Sequence, residues 1–375
     1  MAYTTIDDPS EYFHTRLYTG TGNSQGVTNN ANAGDFKPDW LWIKCRSDNA
    51  SNKIFDSSRL DGSGNPQMVI QSDSTSAEND VGNADFTSID TNGFTVLGAN
   101  ATGASSRTYV AWQWKANGGT TTSHSSGSNG AEVASVYQVN DTAGFSIGTY
   151  TGAGGGTFNI AVYTGLSASC EAVIVKNRDA ATDWAVGFGE NITTSGNRYL
   201  SLNNTHVAQS VGGNSGERQQ GALNLNNFGA GLFDVTSGGA GDNDIFEDGE
   251  KYVFYAFRSI QGYSKIGKYV GTNNADGTFV YTGFKPAWLM VKRHGDAARA
   301  WVIHDNKQDP VNVTANRLDA NTNEAQQSSG HFDFLSNGFK CRSTEGATNA
   351  ASTYVYMAFA EHPFTSSKGT PTTAR

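Results

Sequence analysis

The stretch YTGFKPAWLMVKR, from Tyr281 to Arg293, has two earlier counterparts in the chain: FKPDWLWIKCR from Phe36 to Arg46 and, more loosely, CEAVIVKNR from Cys170 to Arg178. Each copy contains a continuous apolar run that ends at a lysine, and the first and last copies begin with Lys-Pro. Self-similarity at a long spacing is typical of internal repeats. The sequence therefore predicts three copies of one structural unit.

Each apolar run predicts a strand that is covered on both faces. Successive side chains of a strand point to opposite sides, so Leu289 and Val291 share one face while Trp288 and Met290 share the other. Apolar residues on both faces are typical of an interior strand. The lysine that ends each run is expected where the strand emerges into water: Lys44, Lys176 and Lys292.

The composition indicates a β-rich, acidic protein. The chain has 44 Gly, only 7 Pro and 11% aromatic residues, and Asn, Ser and Thr separate its apolar runs. Many short strands joined by turns have this composition. A net charge of −9 disfavours nucleic acid or an anionic membrane as the main partner. Three widely spaced cysteines, no long apolar run and no secretory leader favour folding in a cytoplasm.

Taken in order, the chain predicts three units joined by different kinds of connection. The Gly- and Ser-rich stretch at 119–132 predicts a flexible linker, whereas the second and third units follow each other closely and should be rigidly joined. The last strand of the first unit places Val110, Trp112 and Trp114 on one face and is expected to be half-exposed. The expected parts are an arm at 1–12, units at 13–118, 133–263 and 264–364, and a polar, frayed tail at 365–375.

The fold class predicted from these patterns is all-β. Asn92-Gly93 and Asn337-Gly338 are strong hairpin signals, since both residue types tolerate positive φ. Units of this length, with four strand blocks each and no helical periodicity, suit two-sheet antiparallel sandwiches. We therefore expect three tandem antiparallel β-sandwich modules of jelly-roll or lectin-like topology.

Catalytic and metal signals are weak. The seven histidines are scattered, no Cys pair has ligand spacing, and the Gly-rich turns lack the context of a phosphate loop. Paired acids of a glycosidase are a further alternative without a defined pair. The acidic loop GDNDIFEDGE offers hard oxygen ligands for Ca²⁺, but it lacks the residue order of an EF-hand, and a solvated acidic turn is the favoured interpretation. Its candidate ligands are Asp242, Asp244, Glu247 and Asp248. We expect no enzyme activity and no cofactor.

Aromatic residues outside the repeated runs are the candidates for stacking on a sugar. Trp184 and Trp301 are such residues, and His304 with Asp305 forms a polar pair beside Trp301. The two tryptophans occupy similar offsets after their runs, so a structural role is the competing interpretation. The tryptophans within the runs are expected to lie in the core.

At the level of these blocks the chain resembles a family of marine bacteriophage structural proteins, found in cyanophages and phages of abundant ocean bacteria. The opening MAYTTIDDPSEYFHTRLYTGTG and the later GYSKIGKYVG, YTGFKPAWLMVKR and YVYMAFAEHPF carry the resemblance, which covers nearly the whole chain. It implies a tail-fibre-like or other virion component and brings no catalytic residues. The second unit departs most, because it lacks Lys-Pro before its strand and a clear Asn-Gly-Phe.

The resemblance and the residues together predict a non-enzymatic virion surface protein, either a capsid decoration or a tail-associated appendage. The alternative is a tail-fibre protein that recognises a host-surface glycan or protein. Expected partners are other virion proteins and further copies of the chain, for example in a trimer, with no nucleic acid and no membrane. The expected location is the virion surface, after assembly in the host bacterial cytoplasm.

Overall fold

The computed structural model describes residues 3–82, 84–128, 131–153, 158–189, 198–210, 222–224, 231–237 and 245–372. Within these ranges the chain is all-β, as predicted, with one 3₁₀ turn at Pro9–Glu11. The strand pairs between the named strands are antiparallel. No helix in these ranges has the length and apolar character needed to cross a bilayer.

The strands fall into three consecutive strand sets. The N-terminal set comprises β1 (Phe13–Thr19), β2 (Gln25–Thr28), β3 (Trp40–Cys45), β4 (Lys53–Asp56), β5 (Met68–Val69), β6 (Asn79–Asp80), β7 (Phe86–Asp90), β8 (Gly93–Val96) and β9 (Thr108–Trp114). The middle set comprises β10 (Thr122–His124), β11 (Ser135–Asn140), β12 (Phe145–Thr151), β13 (Phe158–Tyr163), β14 (Ala172–Asn177), β15 (Ala185–Phe188), β16 (Arg198–Tyr199), β17 (Gln209–Ser210), β18 (Ala222–Asn224), β19 (Leu232–Ser237) and β20 (Lys251–Phe257). The C-terminal set comprises β21 (Ser264–Val270), β22 (Phe279–Tyr281), β23 (Phe284–Arg293), β24 (Trp301–Asp305), β25 (Thr314–Asp319), β26 (Gln327–Leu335), β27 (Gly338–Cys341) and β28 (Thr353–Pro363).

The same four-strand order recurs in each set. It reads β1-β9-β3-β4, then β12-β20-β14-β15, then β21-β28-β23-β24. The register recurs as well, since the lysine that ends each central run pairs with a valine: Lys44 with Val110, Lys176 with Val253, and Lys292 with Val355. The repeats read from the sequence therefore correspond to strands in equivalent positions.

A second layer of strands covers one face of each four-strand unit. These layers are β2-β8-β7 and β13-β19-β18, and in the C-terminal set the strands β22, β27 and β26, which continue the sheet beyond β25. Between the layers lie three separate apolar clusters. Leu41 and Ile43 of β3 belong to one of them, and Leu289 and Val291 of β23 to another.

The opposite faces of the three four-strand units meet in one central cluster. It contains Trp40 and Trp42 of β3, Ile174 of β14, and Trp288 and Met290 of β23. The closing strands contribute to it too, as Trp114 lies 5.4 Å from Trp288 and 5.5 Å from Phe359 between ring centroids. The expectation that β9 is half-exposed was wrong, because both of its faces are buried.

The lysines at the ends of the central runs form a ring of contacts between the strand sets. Lys44 Nζ donates to Thr322 O at 2.7 Å, from the N-terminal to the C-terminal set. Lys292 Nζ donates to Thr205 O in the middle set at 2.9 Å, and Lys176 Nζ to Thr75 O in the N-terminal set at 3.0 Å. All three side chains are fully buried. The expectation that they emerge into water was wrong, since each side chain is buried and its ammonium group hydrogen-bonds to backbone carbonyl oxygens.

Backbone hydrogen bonds follow the same ring. The carbonyl oxygen two residues after each lysine accepts a hydrogen bond from a backbone N–H of the neighbouring set. The pairs are Arg46 O with Gln326 N at 2.8 Å, Arg178 O with Glu78 N at 2.9 Å, and His294 O with Ala208 N at 3.1 Å. Burial lowers the pKa of Lys44 to about 8 and that of Lys292 to about 7. The three sets are thus related by an approximate threefold repeat of contacts.

The connections and termini also differ from expectation. Part of the expected flexible linker, Thr122–His124, forms β10 and pairs with β11. The N-terminal set is not a tethered unit, because it shares the central cluster with the other two sets. In the expected free arm, Tyr3 Oη donates to Gly283 O at 2.8 Å. In the expected frayed tail, Ser367 N donates to Asp7 Oδ1 at 2.6 Å.

The two predicted hairpins are present as β7–β8 and β26–β27. Gly93 has φ of +117°, and a Cβ placed there would lie 2.0 Å from Val27 O. Gly338 makes the same close approach to Val280 O, also at 2.0 Å. Glycine is therefore required at these positions because a neighbouring carbonyl leaves no room for a side chain.

Candidate functional site

The two tryptophans considered for sugar stacking are buried between strand sets. Trp184 Nε1 donates to Gln71 O at 2.9 Å, which joins the middle set to the N-terminal set. Trp301 Nε1 donates to Ser201 O at 2.8 Å, which joins the C-terminal set to the middle set. Each ring is at most 1% exposed. Their placement contradicts the sugar-binding interpretation and agrees with the competing structural one.

The polar pair beside Trp301 is buried as well. Asp305 Oδ2 accepts a hydrogen bond from Trp112 Nε1 at 2.9 Å, another contact between strand sets, and burial raises the pKa of Asp305. Burial, with Arg317 and His331 nearby, lowers the pKa of His304 to about 3. His304 is therefore neutral at pH 7. Both side chains are fully buried, so neither is accessible to a ligand at the surface.

Two of the four candidate calcium ligands, Asp242 and Asp244, lie outside the described residues. Glu247 is half-buried, and its backbone N–H donates to Tyr252 Oη at 2.7 Å. Asp248 is exposed. Among the described residues, no group of three or more His, Cys, Asp or Glu side chains lies close enough to hold a metal ion.

A surface cleft of about 870 Å³ on the C-terminal set is a candidate site. Four pieces of chain enclose it: the start of β23, the loop after β24, the tip of the β26–β27 hairpin, and the end of β28 with part of the tail. Its lining combines polar and apolar groups in similar shares and consists of Lys285, Asn306, Asp309, Pro310, Val311, Asn312, Phe334, Leu335, Ser336, Asn337, Glu361, His362 and Thr372. Ligand sites in proteins commonly have volumes in this range.

Side chain to backbone hydrogen bonds fix the walls of the cleft. Asn312 donates from Nδ2 to Phe334 O at 2.9 Å and accepts from Phe334 N at 2.8 Å, so the loop is held against β26. Asp309 accepts from Ala315 N at 2.8 Å and from Asn316 N at 2.6 Å. These contacts shape the loop before any ligand arrives, which reduces the ordering entropy that binding would cost.

The lining of the cleft includes an ion pair and a buried amide. Lys285 Nζ lies 2.7 Å from Glu361 Oε2. Burial raises the pKa of Glu361, but the ion pair outweighs burial and leaves that pKa below its usual range. Asn306 is 7% exposed, and its Oδ1 has no hydrogen-bond partner among the described residues. A buried acceptor in this state is costly unless a solvent or ligand donor reaches it.

Asn306 and Glu361 also line an adjoining cavity of about 60 Å³. His14 of β1 and Lys307 lie on its walls. Burial, with Lys307 as the nearest charge, lowers the pKa of His14 to about 4. The cavity therefore presents a neutral imidazole at pH 7 and extends the polar surface of the cleft inward.

Beside the cleft lies an aromatic patch, which we define as Tyr3, Phe279, Tyr281 and Phe364. Tyr281 is 55% exposed, and its hydroxyl lies 3.1 Å from that of Tyr3. The Tyr3 and Phe364 rings contact edge to face at 6.4 Å. The patch adjoins the cleft because Thr282 N, directly after Tyr281, donates to Asn337 O at 3.0 Å.

No local motif in the sequence points to this site. One usable signal is the alternation in β22, where Phe279 and Tyr281 flank a buried Val280 and so point away from the core. Chemically, both carboxylates of the cleft already have partners: Asp309 accepts N–H donors and Glu361 pairs with Lys285. The arrangement suits hydrogen bonding to a polar ligand better than proton transfer.

The chain has a clear family match. The family model described as Domain of unknown function (DUF7483) matches residues 8–363. No curated protein and no solved structure matches the chain. The matched range includes the strands of all three strand sets and the residues of the central cluster from Phe13 to Phe359. The chain therefore belongs to the DUF7483 family.

Proposed function

We propose that this chain is a non-enzymatic surface protein of a bacteriophage particle, a capsid decoration or tail-associated appendage. In this proposal each strand set is one antiparallel β-sandwich module of jelly-roll or lectin-like topology. The support is the strand order and register that recur in the three sets, each with a covering layer across its own apolar cluster. A sandwich needs both features.

The observation that carries the proposal is the central cluster with its ring of buried lysines. Aromatic rings from all three sets pack together there, and Lys44, Lys176 and Lys292 each donate to a different neighbouring set. Such a block is held together by contacts within one chain and leaves loops on its outer surface for contacts. A passive component of a particle that persists outside cells needs these properties.

The resemblance to marine phage structural proteins and the acidic, polar composition support the same assignment. The N-terminal arm contacts its own chain at Gly283 and Gln261, which favours attachment through another surface. A homo-oligomer remains a prediction. The internal threefold repeat of contacts favours one chain acting where three separate subunits would otherwise assemble.

The test is to locate the protein on intact particles. Antibody against the purified chain, used in immunogold electron microscopy together with mass spectrometry of gradient-purified phage, should label the particle surface. Protein found only in the soluble lysate would refute the proposal. Label on the head at high copy number would identify a decoration, and label on tails would identify an appendage.

A tail-fibre receptor-binding protein is the second candidate function, and the cleft with its aromatic patch favours it. Exposed rings beside a preformed polar cleft are typical of binding surfaces. The two candidates differ in a simple assay. A receptor-binding protein, added in purified form, blocks phage adsorption to host cells, whereas a decoration leaves adsorption unchanged.

A further inference from the structure

We propose that the cleft of the C-terminal strand set binds a neutral saccharide. This inference deepens the receptor-binding candidate and rests on it for its biological meaning. Its physical basis is independent and lies in three features of the cleft: its hydrogen-bonding groups, its charge and its neighbouring rings.

The hydrogen-bonding groups match the surface of a sugar. A saccharide presents hydroxyls that donate and accept at once, so it is best held by amides and hydroxyls that do both. Asn306, Asn337, Ser336 and Thr372 line the cleft and are of these types. Asn306 Oδ1 is buried and lacks a partner among the described residues, so an incoming hydroxyl would supply the hydrogen that it lacks.

The charge of the cleft selects against anionic ligands. Lys285 is paired with Glu361, and the Asp309 carboxylate adds a second negative charge to the lining, so no unpaired lysine is left there to hold a phosphate. The chain as a whole carries −9, which repels polyanions further. Together with the amides and hydroxyls of the lining, this favours a neutral polar ligand.

The aromatic patch provides the apolar surface that sugar binding also needs. The C–H groups on one face of a hexose are apolar, and an exposed ring can cover them. Tyr281 is 55% exposed and Phe364 is 37% exposed, and their orientation is fixed through Tyr3. A chain of sugars could therefore lie with one ring on the patch and the next within the cleft.

The test uses the purified full chain and a defined panel of neutral saccharides: glucose, galactose, mannose, N-acetylglucosamine and N-acetylgalactosamine, with their β- and α-linked disaccharides and trisaccharides. Saturation-transfer NMR at about 10 mM ligand detects binding as weak as a millimolar dissociation constant. We expect at least one oligosaccharide to bind, and glucuronic and galacturonic acid to bind more weakly or not at all. Absence of binding across the panel overturns the proposal, and so does binding restricted to the acidic sugars or to a peptide library.

Two variants assign the binding to this surface. Tyr281→Ala removes an exposed ring and should weaken binding by roughly two- to tenfold, the range of one aromatic contact. Ser336→Trp fills the cleft from the half-exposed tip of the β26–β27 hairpin and should abolish binding. Val136→Ala, an exposed apolar residue on the middle set, is the matched control and should change nothing. Binding that survives both Tyr281→Ala and Ser336→Trp refutes the assignment.

The outcome separates this inference from the proposed function. Saccharide binding by a protein that is absent from particles would refute the virion proposal and retain the cleft. Particle labelling without saccharide binding would retain the virion proposal and refute the cleft.

Discussion

The central cluster makes a specific prediction about how strongly the N-terminal strand set is held. A protease site inserted at Thr120–Thr121, both exposed, would cut the chain before β10. The two fragments should remain associated after cleavage, because Trp40, Trp42 and Trp114 are buried against strands of the other fragment. Size-exclusion chromatography of the cleaved protein at micromolar concentration checks this.

The contribution of a single side chain, Trp40, shows how strongly the two fragments should associate. The Trp40 ring lies 4.6 Å from that of Tyr255 and 5.7 Å from that of Phe257, both in the middle set, and is 2% exposed. Replacing a buried tryptophan by alanine costs about 3–5 kcal/mol. At about 1.4 kcal/mol per tenfold, Trp40→Ala should weaken association of the fragments by roughly a hundred- to several-thousand-fold.

Leu41→Ala is the matched control, because Leu41 is the next residue of β3 and points to the opposite face. It lies in the cluster between the two layers of the N-terminal set and is fully buried. It should lower the stability of the N-terminal fragment by about 2–5 kcal/mol and leave association of the folded fragments nearly unchanged. Cleaved wild-type fragments that separate, or equal effects of the two variants on the dissociation constant, would refute the reasoning.

Three further predictions concern stability. The pKa of Lys292 is about 7 in the folded protein, whereas that of an unfolded lysine is about 10.4. The free energy of unfolding should therefore rise between pH 7 and 10 by up to about 1.4 kcal/mol per pH unit. Lys292→Met should flatten this rise in urea titrations at pH 7 and 9, and an equal rise in both proteins would contradict the prediction. Glu78→Gln leaves the buried Arg59, 2.7 Å away, with one carboxylate fewer and should lower the free energy of unfolding by about 3 kcal/mol at pH 7. Because ion pairing outweighs burial and lowers the pKa of Glu78, the difference in stability between wild type and variant should shrink as the pH falls below about 4. A difference that does not change with pH would exclude the ion pair as its cause. Gly93→Ala forces a Cβ to 2.0 Å from Val27 O at a φ of +117° and should cost more than about 2 kcal/mol, so an unchanged melting temperature by circular dichroism would be incompatible with the close approach.

Much of the strand pattern was predictable because local alternation encodes it. Leu289 and Trp288 do point to opposite faces, and both faces are covered, as the apolar run predicts. What covers the second face was not predictable, since it consists of strands more than a hundred residues away. For β23 the covering residues include Trp112, 6.3 Å from Trp288 between ring centroids.

Polar residues misled the sequence interpretation where they are buried with partners. The strand expected to be half-exposed, β9, is buried on both faces, and its Gln113 exchanges two hydrogen bonds with Asn29, at 2.7 and 2.8 Å. Such an amide pair satisfies its own donors and acceptors and can be buried at little cost. The same holds for Lys44, whose ammonium group finds carbonyl partners at the end of a long apolar stem.

The candidate site was less predictable than the fold. Trp184 and Trp301 attracted attention because they lie outside the repeated runs, but they fill the contacts between strand sets. The cleft is assembled from the segments around Asp309, Asn337 and His362, which are separated by tens of residues. A site of this kind has no periodicity and no motif, so only the folded chain brings its groups together.

The central cluster also suggests why the three repeats differ where they meet. Trp40, Ala172 and Trp288 occupy the same register position, opposite Trp114, Phe257 and Phe359 respectively. Interiors are packed nearly as densely as organic crystals, so an extra large ring would force neighbours out of place. A homotrimer must put the same residue at all three positions around its axis, whereas a single chain can place a small residue beside two large ones. The loose match of the middle repeat, with Ala172 where the others have tryptophan, is thus the expected consequence of packing three unequal copies around one core.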